Sequence, residues 1–102
     1  MEMKKICYVA NIINVLSKKW NLLILRELND NGKERFNELL RKISGINSRT
    51  LSKRLKELEK TNIIKKTRFN EIPPRVEYSL TESGRALIQC FVYLDSWTKK
   101  YM

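Results

Sequence analysis

Two short amphipathic segments on either side of Gly45 constrain the fold of this chain more than any other feature of its sequence. In both segments the apolar residues recur three and four positions apart, which is typical of a helix with one buried side. The first segment ends near residue 43, and the second extends from about 48 to 60 with Asn47 or Ser48 as its N-cap. Because two short helices joined by a glycine-containing turn are typical of a helix-turn-helix, we predict one over about residues 36–60.

The apolar period changes from helical spacing to alternation directly after the second segment. Residues 63–69 are rich in β-branched residues, and residues 75–80 alternate apolar and polar side chains. Pro73 and Pro74 lie between them and indicate a connecting loop. The pattern predicts a β-hairpin over about residues 63–80, in the position of a wing.

Helical spacing of apolar residues also predicts three helices outside this unit, at about 8–16, 18–30 and 82–101. Ser17 is the expected N-cap of the second of these helices, and Thr81 is the expected N-cap of the last. A chain of 102 residues has the usual size of one domain. The predicted fold is therefore mainly α with a small β-hairpin, an α+β class winged helix-turn-helix that occupies residues 1–102 as a single domain.

The basic charge of the chain concentrates on the helix-turn-helix and the wing. The whole chain has 21 Lys and Arg against 11 Asp and Glu, a formal net charge of +10. Residues 33–75 hold 13 basic and 5 acidic side chains, a net +8, whereas the other 59 residues hold 8 and 6, a net +2. Such an excess indicates a polyanionic partner. Nucleic acid is the first candidate and an anionic membrane surface the second. No apolar run is long enough to span a membrane.

A basic ridge on the second helix of the helix-turn-helix is the strongest functional signal. The ridge consists of four cations opposite the apolar side of that helix: Arg49, Lys53, Lys56 and Lys60. Like charges one turn apart repel each other, and a polyanion bound along the ridge relieves that repulsion. Since the major groove of DNA admits one α-helix, we predict that this helix contacts duplex DNA. Its predicted contacts are Asn47, Ser48, Arg49, Thr50, Ser52, Lys53 and Lys56.

A solvent-exposed helix face is the alternative explanation of the ridge, since Glu57 and Glu59 partly balance its charge. The wing supplies a second set of predicted DNA contacts, on the minor groove or the adjacent phosphates. These contacts are Lys65, Lys66, Arg68 and Arg75. Lysine and proline also protect an exposed hairpin edge from strand addition, and both interpretations can hold for one hairpin.

The first and last predicted helices have apolar stripes that are candidates for a subunit interface. The stripe of the first helix comprises Val9, Ile12, Ile13 and Leu16, and that of the last comprises Leu87, Phe91, Leu94, Trp97 and Tyr101. Such residues are more often core, but a domain of this size has little core left for the aromatic residues near its C-terminus. We therefore predict a homodimer that these two helices form.

The absence of histidine excludes His-dependent nucleophiles and His-ligated metal sites. We expect a non-enzymatic, cytoplasmic protein without cofactor or metal, because Cys7 and Cys90 form neither a disulfide framework nor a metal motif. Lys4 and Lys5 near Cys7 favour its thiolate, which makes Cys7 a candidate redox sensor. Cys90 lies among apolar residues, and we expect it to be buried.

The chain resembles the HxlR-type winged helix-turn-helix transcription regulators of bacteria and archaea over nearly its whole length. The similarity lies in Cys7 and in residues 19–28, 35–39, 45–59 and 72–85. This resemblance implies a homodimer that binds a palindromic operator in double-stranded DNA, with the recognition helix beginning near Ser48 and the hairpin as the wing. Some members of the family use the N-terminal cysteine to sense electrophiles or oxidants; proline often follows that cysteine, where this chain has Tyr8.

Two other functions are compatible with the same sequence. One is a redox- or electrophile-sensing switch that acts through Cys7 on the same fold. The other is a basic winged helix that contacts RNA or protein. Binding to duplex DNA compared with single-stranded RNA distinguishes the latter from a DNA-binding regulator, because the deep major groove of A-form RNA does not admit the helix.

Overall fold

Five helices and three short strands make up the computed structural model, which describes residues 2–102, with side chains from Val9 onward. The helices are α1 (Glu2–Leu16), α2 (Lys19–Asn31), α3 (Phe36–Lys42), α4 (Ser48–Lys60) and α5 (Glu82–Tyr101). The strands are β1 (Lys33–Glu34), β2 (Ile64–Phe69) and β3 (Arg75–Leu80). This order confirms the predicted winged helix-turn-helix, with α3 and α4 as the helix-turn-helix and β2 and β3 as the wing.

Local hydrogen bonds explain where the helices begin and end. The Asn47 side chain accepts a hydrogen bond from the Thr50 amide (2.8 Å), which fixes the start of α4. The Thr81 hydroxyl does the same for α5, accepting from the Gly84 amide at 2.9 Å. Gly32 ends α2 with a φ of +82°, a conformation that favours glycine.

The predicted N-cap of α2 is wrong. The residue before α2 is Lys18, and its side chain makes no capping bond. The Ser17 hydroxyl instead donates to the Asn14 carbonyl oxygen (3.3 Å) in the last turn of α1. The reason is the short connection: α1 ends at Leu16, so Ser17 belongs to the C-terminal turn of that helix.

The wing belongs to a three-stranded antiparallel sheet with the order β1-β3-β2. β2 and β3 pair from Ile64 opposite Leu80 to Phe69 opposite Arg75. β1 contributes only Lys33, opposite Ser79, and Glu34, opposite Tyr78. Sequence analysis did not predict β1, because two polar residues carry no alternating apolar pattern.

The core lies between α2, α3, α4 and the base of the sheet. Its fully buried apolar residues are Ile24, Leu25, Leu28, Leu39, Leu51, Leu55, Leu58 and Ile64. Only the first half of α5 packs against it, through Leu87, Ile88 and Phe91. No helix within residues 2–102 is both long and apolar enough to cross a lipid bilayer.

Two expectations about the outer helices are wrong at the level of single residues. Leu16 is buried in the core of the single chain and has almost no surface left for a subunit interface. Cys90 is exposed rather than buried, because the side of α5 that carries it faces away from the core. The Cys7 side chain lies outside the described residues.

Candidate nucleic-acid interface

Packing of α4 against α2 and β2 determines which of its sides faces outward. Leu51, Leu55 and Leu58 are buried between these elements, as their spacing predicts. The basic ridge therefore projects from the opposite side, and all four of its side chains are exposed. Ser48 at the start of α4 is also exposed, and Thr50 and Ser52 are half-buried along its first two turns.

The charge of the basic ridge is not neutralised within the described part of the chain. None of its four cations forms an ion pair there. Glu57, which the sequence offered as a counter-charge on the same helix, pairs with Lys18 and Arg54 instead. Glu59 is exposed and forms no ion pair with a described residue. The alternative explanation of the ridge as a solvent-exposed helix face is therefore weaker, because Glu57, one of the two balancing charges, is paired elsewhere.

The wing adds further cations that have no ion-pair partner in the described part of the chain. Lys65 and Arg68 are exposed and Lys66 is half-buried, and none of the three forms an ion pair with a described residue. Because side chains alternate along a strand, Lys66 and Arg68 share one face of β2 and Lys65 lies on the other.

Arg75 differs from the other wing residues of the predicted set. Its guanidinium lies 4.1 Å from the centre of the Phe69 ring and pairs with Glu71 at 3.0 Å and Glu77 at 3.6 Å. Two carboxylates therefore compensate its charge, and its contacts connect β3 to the end of β2. The arrangement gives Arg75 a structural role in the wing and leaves less of its charge for the predicted DNA contact.

A basic cleft beside the helix-turn-helix was not predicted from the sequence. It is an open space of about 770 Å³ between the start of α3 and β3, and its charged lining is four cations, Lys33, Arg35, Arg41 and Arg75, and two carboxylates, Glu38 and Glu77. Arg35 and Arg41 are exposed and make no ion pair among the described residues, whereas Lys33 pairs with Glu77 at 3.7 Å. The pairing of β1 with β3 brings these separated positions together, and the only sequence signal for them was the charge excess of residues 33–75.

The predicted interface stripes are partly exposed and partly packed on the core. Ile12, Leu87 and Phe91 are half-buried against the core of the same chain. The remaining members, apart from the buried Leu16, are exposed: Val9, Ile13, Leu94, Trp97 and Tyr101. The Trp97 and Tyr101 rings lie 5.5 Å apart and extend this surface towards the end of α5.

Comparisons with known proteins agree with this architecture. A family model described as HxlR-like helix-turn-helix matches residues 15–102. An uncharacterised HTH-type transcriptional regulator of Methanothermobacter thermautotrophicus is 42% identical over 96 residues, which cover 94% of this chain and 72% of that protein.

Solved structures show the same fold. One from Enterococcus faecalis V583, named as a transcriptional regulator of the MarR family, is 36% identical with a TM-score of 0.89, covering 95% of this chain and 87% of that one. The redox regulator HypR in its oxidized form is 34% identical with a TM-score of 0.80, covering 94% and 98%. With the family model matching most of its length, the chain belongs to the HxlR-like helix-turn-helix family and is a transcriptional regulator of the helix-turn-helix type.

Proposed function

We propose that this regulator binds double-stranded DNA as a homodimer at an inverted-repeat operator. In this proposal α4 lies in the major groove, and the wing of β2 and β3 contacts the minor groove or the adjacent phosphates. The observation that carries the proposal is the basic ridge, whose four exposed cations have no ion-pair partner among the described residues. A phosphate backbone supplies the missing counter-charge.

The first turns of α4 provide the groups that read bases. Arg49 is suited to the O6 and N7 acceptors of guanine, and Lys53, one turn later on the same ridge, extends the contact. Ser48 and Thr50 at the start of the helix donate to bases or phosphates. The unpaired cations of the basic cleft, Arg35 and Arg41, and those of the wing add phosphate contacts beside the recognition helix.

The dimer follows from the exposed stripes of α1 and α5. A two-fold symmetric interface that covers Ile13 and Trp97 on both copies buries apolar surface that a monomer leaves in water. The two recognition helices then lie about 34–36 Å apart, one turn of B-DNA, or a multiple of that distance. The operator is accordingly an inverted repeat with that spacing.

The test is selection of bound duplexes from a random DNA pool, followed by affinity measurements over a range of salt concentrations. We expect the logarithm of the binding constant to fall steeply with the logarithm of salt, by about 0.9 for each phosphate neutralised. Replacement Arg49→Ala should weaken operator binding by about 1–3 kcal/mol. Arg26→Ala, which removes an exposed arginine from α2, is the matched control and should leave affinity within about twofold. A shallow salt slope, or preference for single-stranded RNA, contradicts the proposal.

Redox control through Cys7 is a second candidate, favoured by the similarity to HypR, which is a redox regulator. In this version, diamide takes two electrons and two protons from two Cys7 thiols, one of each subunit, and the disulfide that forms between them changes DNA affinity. Cys90 is the matched control because its thiol is exposed. Diamide should alter the affinity of the Cys90→Ser variant but not that of Cys7→Ser. An effect that survives in Cys7→Ser eliminates the candidate.

A further inference from the structure

A polar cluster behind the recognition helix joins three parts of the chain at one carboxylate. Glu57 lies on α4, and its Oε2 accepts a hydrogen bond of 2.5 Å from Nζ of Lys18, the residue just before α2. Oε1 of the same carboxylate accepts from Nδ2 of Asn21 at 2.8 Å and from Nη1 of Arg54 at 3.2 Å. We call Asn21 and Glu57, with their direct hydrogen bond, the polar clamp.

The polar clamp continues into α1. Nδ2 of Asn21 also donates to the carbonyl oxygen of Val15 at 2.8 Å. Val15 lies in the last turn of α1, where main-chain carbonyls lack partners within the helix. A single side-chain amide thus connects the end of α1 to the carboxylate on α4, through a residue whose side chain is fully buried.

Stability alone does not account for polar groups in this place. Asn21 has no exposed surface, and its Oδ1 atom is buried without a hydrogen-bond partner among the described residues, as is Nε of Arg54. Burial of unpaired polar atoms is costly, and an apolar side chain of similar volume avoids that cost. A hydrogen-bonded cluster fixes the orientation of α4 more tightly than apolar packing does. Leucine packing tolerates sliding and rotation of α4, whereas hydrogen bonds of 2.8 Å between defined atoms do not.

We propose that Asn21 and Glu57 are positioning residues that set the orientation of the recognition helix relative to α1. This inference rests on the proposed function, in which α1 belongs to the dimer interface and α4 contacts DNA. Through the polar clamp, the dimer fixes both recognition helices at one separation and one rotation. Loss of the clamp leaves the fold and the basic ridge in place but lets each helix adapt to half-sites at other spacings.

The test measures how strongly the protein discriminates between operators that differ only in half-site spacing. One added base pair rotates and displaces one half-site, and for the wild type we expect a loss of affinity of about tenfold or more. In Asn21→Leu, which keeps the number and branching of the side-chain heavy atoms but removes both hydrogen bonds of the amide, that loss should fall to about two- to threefold. Glu57→Gln, which keeps an acceptor for Asn21 but removes the charge, should give an intermediate loss.

Ile24→Val is the matched control for lost stability. Ile24 is fully buried one turn further along α2 and takes no part in the polar clamp. Lost stability lowers the active fraction and weakens binding to all operators equally, so this variant should keep the wild-type ratio between the two spacings.

Three results overturn the inference, and only the last of them also overturns the proposed function. Retention of the wild-type ratio in both clamp variants overturns it while the proposed function stands, as does a wild type that binds both spacings equally. Failure of the wild type to bind any duplex overturns the proposed function and the inference together.

Discussion

Among single residues, Glu57 gives the clearest pH dependence. Burial alone raises the pKa of its carboxyl, but the hydrogen bonds from Lys18 and Asn21 and the charges of Lys18 and Arg54 outweigh burial and hold the pKa below its ordinary value. A carboxyl whose pKa is lower in the folded state stabilises the fold above its unfolded pKa, and that stabilisation is lost as pH falls through the folded value.

We therefore expect wild type to be more stable than Glu57→Gln at neutral pH. The difference should shrink below about pH 4, near the unfolded pKa of glutamate. Urea unfolding at a series of pH values measures it. Glu59→Gln, on the same helix but exposed and without an ion pair among the described residues, is the control and should change the free energy of unfolding by less than about 0.5 kcal/mol at neutral pH. A Glu57→Gln difference that stays constant to pH 3 contradicts the assigned ion pairs.

Gly84 is the residue at which a single methyl group should disrupt the fold. It lies in the first turn of α5, and a Cβ at this position overlaps the main-chain carbonyl oxygen of Ile63, which cannot move aside like a flexible side chain. That oxygen also accepts hydrogen bonds from the amide and hydroxyl of Thr81. Gly84→Ala should cost about 3 kcal/mol or more, since overpacking against the backbone shifts α5 as a whole.

The neighbouring substitution Ser83→Ala provides the control, because Ser83 is exposed in the same turn of α5. It should change the free energy of unfolding by less than about 0.5 kcal/mol. Chemical denaturation of the two variants gives the comparison. Equal stability of Gly84→Ala and wild type means that α5 does not approach Ile63 this closely.

At the level of elements, sequence predicts α4 better than α5 for a physical reason. In α4 one side is leucine and the opposite side is cationic, so the period alone determines which side is buried. In α5 apolar residues surround much of the helix, and their spacing does not determine whether the side of Phe91 or the side of Cys90 faces the core. The choice depends on the close approach of Gly84 to Ile63, a tertiary contact without a sequence signature.

The N-cap of α4 is the element boundary with the clearest energetic consequence. Asn47→Ala removes the acceptor of the Thr50 amide, so the first turn of the helix loses a hydrogen bond. We expect a loss of stability of about 0.5–2 kcal/mol. Operator affinity should fall as well, because Ser48, Arg49 and Thr50 lie in the turn that frays.

Asn47→Asp and Asn47→Ser separate capping from base contact, since both residues cap helices about as well as asparagine. Each should restore stability in thermal unfolding to within about 0.5 kcal/mol of wild type. If Asn47→Ser restores stability but not affinity, Asn47 itself touches DNA. If Asn47→Ala is as stable as wild type, the cap does not hold the helix end.

For the molecule as a whole, the candidate site was only half predictable. The basic ridge lies on one helix, so the helical spacing of its residues can be read directly from the sequence. The basic cleft instead joins Arg35 and Arg41 of one segment to Arg75 of another, and only the pairing of β1 with β3 brings them together. The charge count of residues 33–75 includes these cations but does not show that they lie close together.

The oligomeric state is a property of the whole molecule, and Trp97 is the residue that tests it most directly. Its side chain is 54% exposed on the apolar side of α5, beside Tyr101. Large aromatic residues at the centre of an interface account for much of its binding energy, so Trp97→Ala should weaken the proposed dimer by about 2–4 kcal/mol, or roughly 30- to 1,000-fold. Sedimentation equilibrium over a range of protein concentrations measures this change.

Val92 supplies the matched control for the dimer, because it is 53% exposed on the same helix but lies about 140° around the helix axis from Trp97. Val92→Ala should leave the dimerisation constant within about threefold, since the residue lies outside the stripe that contains Trp97. Trp97→Ala should also lower operator affinity, because a monomer contacts only one half-site. A wild type that sediments as a monomer at micromolar concentration, or equal effects of the two substitutions, rules out an interface built on this side of α5.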